Sequence, residues 1–195
     1  MKQEIEVKLR VVDAAATRRL LGRLGGRVLR RVHEMNTLFD TPRGTLRKRG
    51  RLLRLRVETA LAGHRRRRFI LTLKGPSRPD TRYKVRAEME RILPDARGFL
   101  GGVAALGLRP VFRYEKRRTS YGIPAARGVH VEFDETPAGF FLELEGARRA
   151  IDRLARRLGY GPADYIAKSY LALHFDDCRR RGRAPRDMLF GAKKK

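Results

Sequence analysis

Lys2-Gln3-Glu4-Ile5-Glu6-Val7-Lys8-Leu9-Arg10-Val11 alternates charged and apolar side chains, with Glu4, Glu6, Lys8 and Arg10 on one face and Ile5, Val7, Leu9 and Val11 on the other. A period of two residues is the mark of a strand, whose successive side chains point to opposite sides. The pattern returns at Leu52 to Glu58, where Arg54, Arg56 and Glu58 oppose Leu53, Leu55 and Val57, and at Tyr83 to Ile92, where Lys84, Arg86, Glu88 and Glu90 share a face. It appears again at Phe140 to Glu145. Further extended segments are expected at Val28 to Phe39, Arg68 to Lys74, Arg109 to Tyr121 and Gly128 to Asp134, several of them joined as hairpins. Between them the spacing predicts helices: one capped by Asp13 and stopped by Gly25-Gly26, one near Asp95 to Leu106, and two near Ala147 to Leu158 and Asp164 to Phe175.

Three strands place two glutamates two residues apart on one face: Glu4/Glu6, Glu88/Glu90 and Glu143/Glu145. At a rise of about 3.3 Å per residue the backbones of such a pair lie roughly 6 to 7 Å apart, and the carboxylates can converge. Oxygen donors suit hard cations such as Mg²⁺ or Mn²⁺, and two such ions can clamp an in-line phosphoryl displacement. The same faces carry Lys8, Arg54, Arg56, Lys74 and Arg86, the chemistry that holds phosphate oxygens. One charged face alone would be the solvated side of an antiparallel sheet. Several in the same register imply a curved sheet whose charged faces line a common interior, with its apolar faces packed by helices. The expected class is α+β, a polar-lined barrel with helices outside.

The chain has 195 residues, 47 Lys plus Arg against 21 Asp plus Glu, and 42% hydrophobic residues. That length supports one domain with a real core, and the hydrophobic content excludes a wholly disordered basic protein. The excess of cations either binds polyanions or solvates the surface, and the preponderance of Arg over Lys also fits the coding bias of a GC-rich genome. The longest nearly unbroken apolar run, Phe99 to Leu108, is about half of a membrane-spanning helix. Alternating sequence begins at Lys2 with no basic head and apolar stretch before it, so the expected location is cytoplasmic, without a membrane partner. One cysteine, Cys178, and four scattered histidines give no zinc-type spacing, and no His is expected to be catalytic.

These residues resemble a known family. Glu4-Ile5-Glu6-Val7-Lys8 is similar to the Glu-x-Glu-x-Lys signature of the CYTH domain, or triphosphate tunnel metalloenzymes, which include class IV adenylyl cyclases, thiamine triphosphatases and inorganic triphosphatases. The likeness continues in order through Phe39-Asp40-Thr41-Pro42, Leu53-Arg54-Leu55-Arg56, Leu71-Thr72-Leu73-Lys74-Gly75-Pro76, Arg86-Ala87-Glu88-Met89-Glu90, Asp134-Glu135, Phe141-Leu142-Glu143-Leu144-Glu145-Gly146 and Lys168-Ser169-Tyr170. What the resemblance implies is a closed eight-stranded antiparallel barrel over residues 1–175. Glu4, Glu6, Glu143 and Glu145 would be the main ligands of Mg²⁺ or Mn²⁺, two ions in all, with Glu88 and Glu90 completing the acidic set and Asp134 near the metals. Lys8, Arg54, Arg56, Lys74, Arg86 and Arg118 would hold the triphosphate, with Lys116 as the alternate to Arg118, and Lys168 would close the site. Among these, Glu4, Glu6, Lys8, Lys74 and Arg118 are the implied catalytic set.

The expected activity is metal-dependent hydrolysis of a linear triphosphate, inorganic or with an organic end group such as thiamine. Conversion of ATP to cyclic AMP and pyrophosphate is the alternative, and a non-catalytic polyphosphate- or RNA-binding module the second. The basic stretch 63–68 reads as a solvated hairpin loop, and the basic segment 176–195, ending in Lys193, Lys194 and Lys195, as a disordered tail. Either is a candidate for nonspecific nucleic-acid contact. Monomer and homodimer both remain open. Tyr83, Tyr121 and Tyr170 are expected to pack rather than react.

Overall fold

Each alternating segment is a strand in the computed structural model, which describes residues 2–64, 66–78, 80 and 82–191. The strands are β1 (Lys2–Val11), β2 (Arg27–Asp40), β3 (Leu52–Ala60), β4 (Arg67–Arg78), β5 (Lys84–Leu93), β6 (Arg109–Gly122), β7 (Val129–Thr136) and β8 (Gly139–Gly146). They close into one antiparallel barrel in the order β1-β5-β4-β3-β2-β6-β7-β8. β1 closes the ring, pairing Glu4 with Arg86 on β5 and Lys8 with Glu143 on β8. Among the described residues five helices lie outside: α1 (Ala14–Arg23), α2 (Thr45–Lys48), α3 (Arg97–Ala105), α4 (Arg148–Arg157) and α5 (Tyr170–Arg180). No helix among the described residues is long and apolar enough to cross a membrane.

The barrel inverts the usual arrangement of polar outside and apolar inside. Val7, Leu9, Val131, Phe133, Leu142 and Leu144 point outward, where they pack against Leu21 of α1 and Ile151 and Leu154 of α4. A smaller cluster joins Phe39 and Leu55 to Val103 of α3. The opposite faces turn charged side chains inward, so that Lys8 is 2% exposed and Glu34 fully buried. Burial of apolar surface against the helices, at about 25 cal/mol per Å², thus supports a wall whose inner side is reserved for polar chemistry.

The caps follow local sequence. Asp13 accepts a hydrogen bond from Ala16 N at 2.9 Å and starts α1, and Gly25 takes φ +77° just past its end, as the αL position after a helix requires. The helix expected over Asp164 to Phe175 begins later. Pro162–Asp164 is a single 3₁₀ turn, the chain then runs extended, and Ser169 caps α5 by accepting from Ala172 N at 3.2 Å.

Past Asp176, α5 continues to Arg180 and the chain then folds back onto β6. Met188, 2% exposed, joins the cluster of Leu38, Phe112, Tyr114, Phe141 and Tyr170 at one end of the barrel. Its N–H donates to Arg113 O and its carbonyl accepts from Glu115 N. One buried apolar side chain and a two-bond bridge fasten a segment that composition alone marks as loose. Lys193, Lys194 and Lys195 lie outside the described residues, as does Arg65 of the basic loop.

Gly146 ends β8 at φ +158°, and a Cβ placed there would lie 2.4 Å from the backbone oxygen of Gly128. Gly146→Ala is therefore expected to destabilise the barrel by about 1–3 kcal/mol, read as a lowered thermal midpoint. An unchanged midpoint would show that the Gly128 loop yields freely.

Candidate active site: a charged tunnel

The inward faces enclose a cavity of about 420 Å³ whose wall carries ten Lys and Arg and seven Glu, a net cationic lining. Every strand contributes, because the period of two that made each strand amphipathic delivers its charged face to the same interior. Glu4, Glu6, Lys8, Arg54, Arg56, Lys74, Arg86, Glu88, Glu90, Lys116, Arg118, Glu143 and Glu145, all singled out in the sequence, lie on this wall. Lys116 and Arg118 both face inward, and Arg117 between them points out to Glu135 at 2.7 Å. The choice between 116 and 118 thus dissolves: strand alternation puts both on one face.

The carboxylates are interleaved with cations. Lys74 Nζ lies 2.7 Å from Glu4 and 2.8 Å from Glu88. Lys8 Nζ lies 3.2 Å from Glu6 and 2.8 Å from Glu143, Lys84 pairs with Glu6, and Arg118 pairs with Glu143. Arg54 donates to Thr72 Oγ1 at 2.9 Å and to Glu90 at 3.2 Å. Arg56 reaches Asn36 at 3.0 Å and Glu34 at 3.3 Å. Arg86 is held by backbone carbonyls instead, donating to Gly75 O at 2.8 Å and Gly50 O at 3.4 Å. Among the described residues, Arg54 Nε and Glu34 Oε1 are the buried side-chain polar atoms without a hydrogen-bond partner. An unmatched donor in a cationic cavity fits a ligand rich in acceptors.

Burial opposes ionisation of Glu6, yet Lys8 and Lys84 hold it well below the usual carboxylate range. Burial likewise opposes ionisation of Glu34 and Glu143, which Arg56 and Lys8 respectively overcome. Glu88 goes the other way. Burial, countered by Lys74 and reinforced by a hydrogen bond with Glu4, pushes it from 4.5 up to about 7. Glu145 is also raised, by burial and then by Glu4.

A carboxyl whose folded pKa is raised binds its proton more tightly in the folded chain, so folding stability falls as pH rises from about 4.5 to about 7. In chelating buffer, Glu88→Gln is expected to remove that decline, seen as a midpoint that gains on the parent's across this window. Parallel pH profiles would mean that Glu88 is ionised throughout. Glu6, Glu34 and Glu143 act oppositely: their lowered pKa values give stability that is present above about 4.5 and lost on further acidification.

Two expected site residues do not reach the wall. Lys168 sits between the 3₁₀ turn and α5, exposed, with its ammonium 2.6 Å from Asp176; the irregular chain around it turns its side chain outward instead of over the tunnel. Asp134 faces inward but lies behind the wall, fully buried. It accepts from Lys116 at 2.9 Å, from Arg118 Nε at 2.6 Å and from Tyr170 OH at 2.8 Å, so its oxygens are taken up in orienting cations.

Other wall residues were not selected as site residues from the sequence. Lys84 shares the face of Arg86, and Glu132 lies two residues before Asp134, so alternation alone could have found both. Lys2, Arg30 and His130 also line the cavity. Tyr170 comes from α5, not from a strand. Its ring lies 5.0 Å from Lys8 Nζ and 5.3 Å from Lys116 Nζ, and burial followed by the nearby Asp134 and Glu143 charges keeps its hydroxyl protonated well above the usual phenol range.

All acidic donors on the wall are carboxylate oxygens, and Glu4 stands close enough to Glu88 and to Glu145 to help raise the proton affinity of both. Crowded hard donors of this kind fit a divalent hard cation, which relieves their mutual repulsion. Among the described residues no three acidic, His or Cys groups already converge as ligands.

The family model described as the CYTH domain matches residues 2–170. Similar solved structures include the PH1819 protein of Pyrococcus horikoshii OT3, at 22% identity and TM-score 0.76, covering 89% of this chain and 99% of that one. The PH1012 protein of the same organism aligns at 26% identity and TM-score 0.70, covering 87% and 98%. Hippeastrum HpAC1, an adenylyl cyclase candidate described as revealing a dominant triphosphatase activity, aligns at 20% identity and TM-score 0.63, covering 93% and 97%. At 20 to 22% identity these likenesses speak for the fold. No curated protein matches the chain in sequence.

Proposed function

Because the chain belongs to the CYTH domain family, we propose that it hydrolyses a linear triphosphate held in the tunnel, with Mg²⁺ or Mn²⁺ as its cofactor. The observation that carries this reading is the mixed wall of ten cations and seven glutamates in a single cavity. A pure polyanion binder gains nothing from carboxylates, which repel phosphate unless metal ions intervene. The triphosphatase activity described for HpAC1 agrees with it.

In this reading Glu4, Glu6, Glu143 and Glu145, completed by Glu88 and Glu90, would hold a pair of divalent ions, which would supply charge neutralisation and lower the pKa of a bound water. Lys8, Lys74 and Arg118 leave their carboxylates for phosphate oxygens as substrate enters. Arg54, Arg56, Arg86 and Lys116 hold the rest of the chain of phosphates, Arg54 with its unpartnered Nε. Once substrate is bound, these groups, carried on strand backbones, spread the charge that develops on the transferring phosphoryl group. No covalent enzyme intermediate is needed.

Cyclisation of ATP is the competing reading, supported by the cyclase naming of HpAC1. Hydrolysis is favoured because the wall offers little to a base: its apolar and aromatic members are Leu52, Tyr114 and Tyr170, and both tyrosines are buried. The test incubates the protein with Mg²⁺ or Mn²⁺ and, in parallel, tripolyphosphate, thiamine triphosphate and ATP, and resolves products by ³¹P NMR. Orthophosphate is the expected product. Cyclic AMP with pyrophosphate would establish the cyclase, and no turnover on any substrate with either metal would sink both.

A further inference from the structure

A second and larger cavity, about 1040 Å³, lies outside the barrel between α5, the 183–189 segment and the β7-β8 turn. It adjoins the part of the tunnel that Tyr170 lines. Lys8 faces the Tyr170 ring at 5.0 Å, Tyr170 meets Phe141 edge-on at 5.3 Å, and Arg10, two residues after Lys8 on β1, lies 4.9 Å over the Phe141 ring. Two aromatic rings in contact thus stand in line between Lys8 on the tunnel wall and Arg10 on the basin wall.

We propose that this outer basin is a binding site for linear inorganic polyphosphate, distinct from the tunnel. Its wall carries seven Lys and Arg against three Asp. The acids are already engaged: Asp187 accepts from Arg113 N at 2.8 Å, Asp176 pairs with Lys168, and Asp177 pairs with Arg180 and Arg181. Arg10, Arg183 and Arg186 form no ion pair among the described residues. The wall is built, not loose. Besides the buried Met188, His174 Nε2 lies 2.8 Å from Arg186 O, tying α5 to the strap that carries Arg183 and Arg186. The guanidinium groups suit phosphate oxygens. Among the described residues the lining contains no Phe, Tyr or Trp, so it lacks the stacking surface that single-stranded nucleic acids use. A polyanion with dense charge and no bases fits this composition.

The test uses the full chain in chelating buffer, where no hydrolysis occurs, and follows end-labelled long-chain polyphosphate by fluorescence anisotropy. The triple variant Arg179→Glu, Arg183→Glu, Arg186→Glu is expected to bind about tenfold or more weakly, and its dependence of log K on log salt to flatten by about three units. Its thermal midpoint and its tripolyphosphate turnover should match the parent's, and the tunnel variant Lys8→Met should still bind long polyphosphate. Undiminished binding by the triple variant would overturn the proposal, as would loss of binding in Lys8→Met alone. Displacement of polyphosphate by oligothymidylate charge for charge would assign the basin to nucleic acid instead. Absence of triphosphate turnover would refute the tunnel's proposed reaction and leave this binding result standing.

Discussion

Asp134→Ala is expected to cost about 3–5 kcal/mol of folding stability, as removal of one partner from a buried ionic cluster does. Asp134 is fully buried and receives Lys116, both ends of the Arg118 guanidinium and the Tyr170 hydroxyl. Without it, Lys116 retains Glu34 and Glu143 only at 3.5 and 3.7 Å, and two cations remain in a site that water hardly reaches. Asp134→Asn still accepts from Tyr170 but neutralises nothing, so it should recover only a minor part of the loss. Urea unfolding followed by far-UV circular dichroism measures both. A loss below about 1 kcal/mol, the range of an exposed pair, would show that Lys116 and Arg118 do not depend on Asp134.

The second large effect separates catalysis from folding. Glu4→Gln keeps the shape of the side chain, and Lys74, its partner, retains Glu88 at 2.8 Å; the fold should therefore survive with its midpoint within a few degrees. Metal-dependent turnover should fall by about 10²-fold or more, comparable to removing one preorganised electrostatic contact from a reacting centre. Full activity in a folded Glu4→Gln protein would remove Glu4 from the proposed metal set.

Much of the barrel was legible because one rule governs every strand. Where charged and apolar residues alternate, as in β1, β3, β5 and β8, the face that meets the cavity follows from period two alone, and a single ring of such faces has only one interior. The same rule reaches Lys84 and Glu132, which lay in view and went unselected. It fails where there is no period. Lys168 stands in irregular chain, where nothing local determines which way a side chain points, and α5 starts at the Ser169 cap instead of the earlier Asp164. Met188 is one apolar residue in a basic segment, and only its partners on β6, far away in sequence, explain its burial. Asp134 shows a further limit: alternation gives its inward direction, but not that Lys116, Arg118 and Tyr170 screen it from the cavity.

The closure of the ring through its first strand has a kinetic consequence. Glu6 pairs across the backbone with Lys84 on one side and Glu145 on the other, so the segment synthesised first waits for β8 before its second edge is satisfied. Until then β1 and β8 each present an unpaired edge, the surface most apt to recruit another chain. Pairings this distant in sequence place folding toward the slow, millisecond-to-second regime. Glu4, Glu6 and Lys8 ride on that seam. Recovery of turnover during refolding would report the last step of closure, while the hairpins and helices that fill in earlier would register only in the circular dichroism.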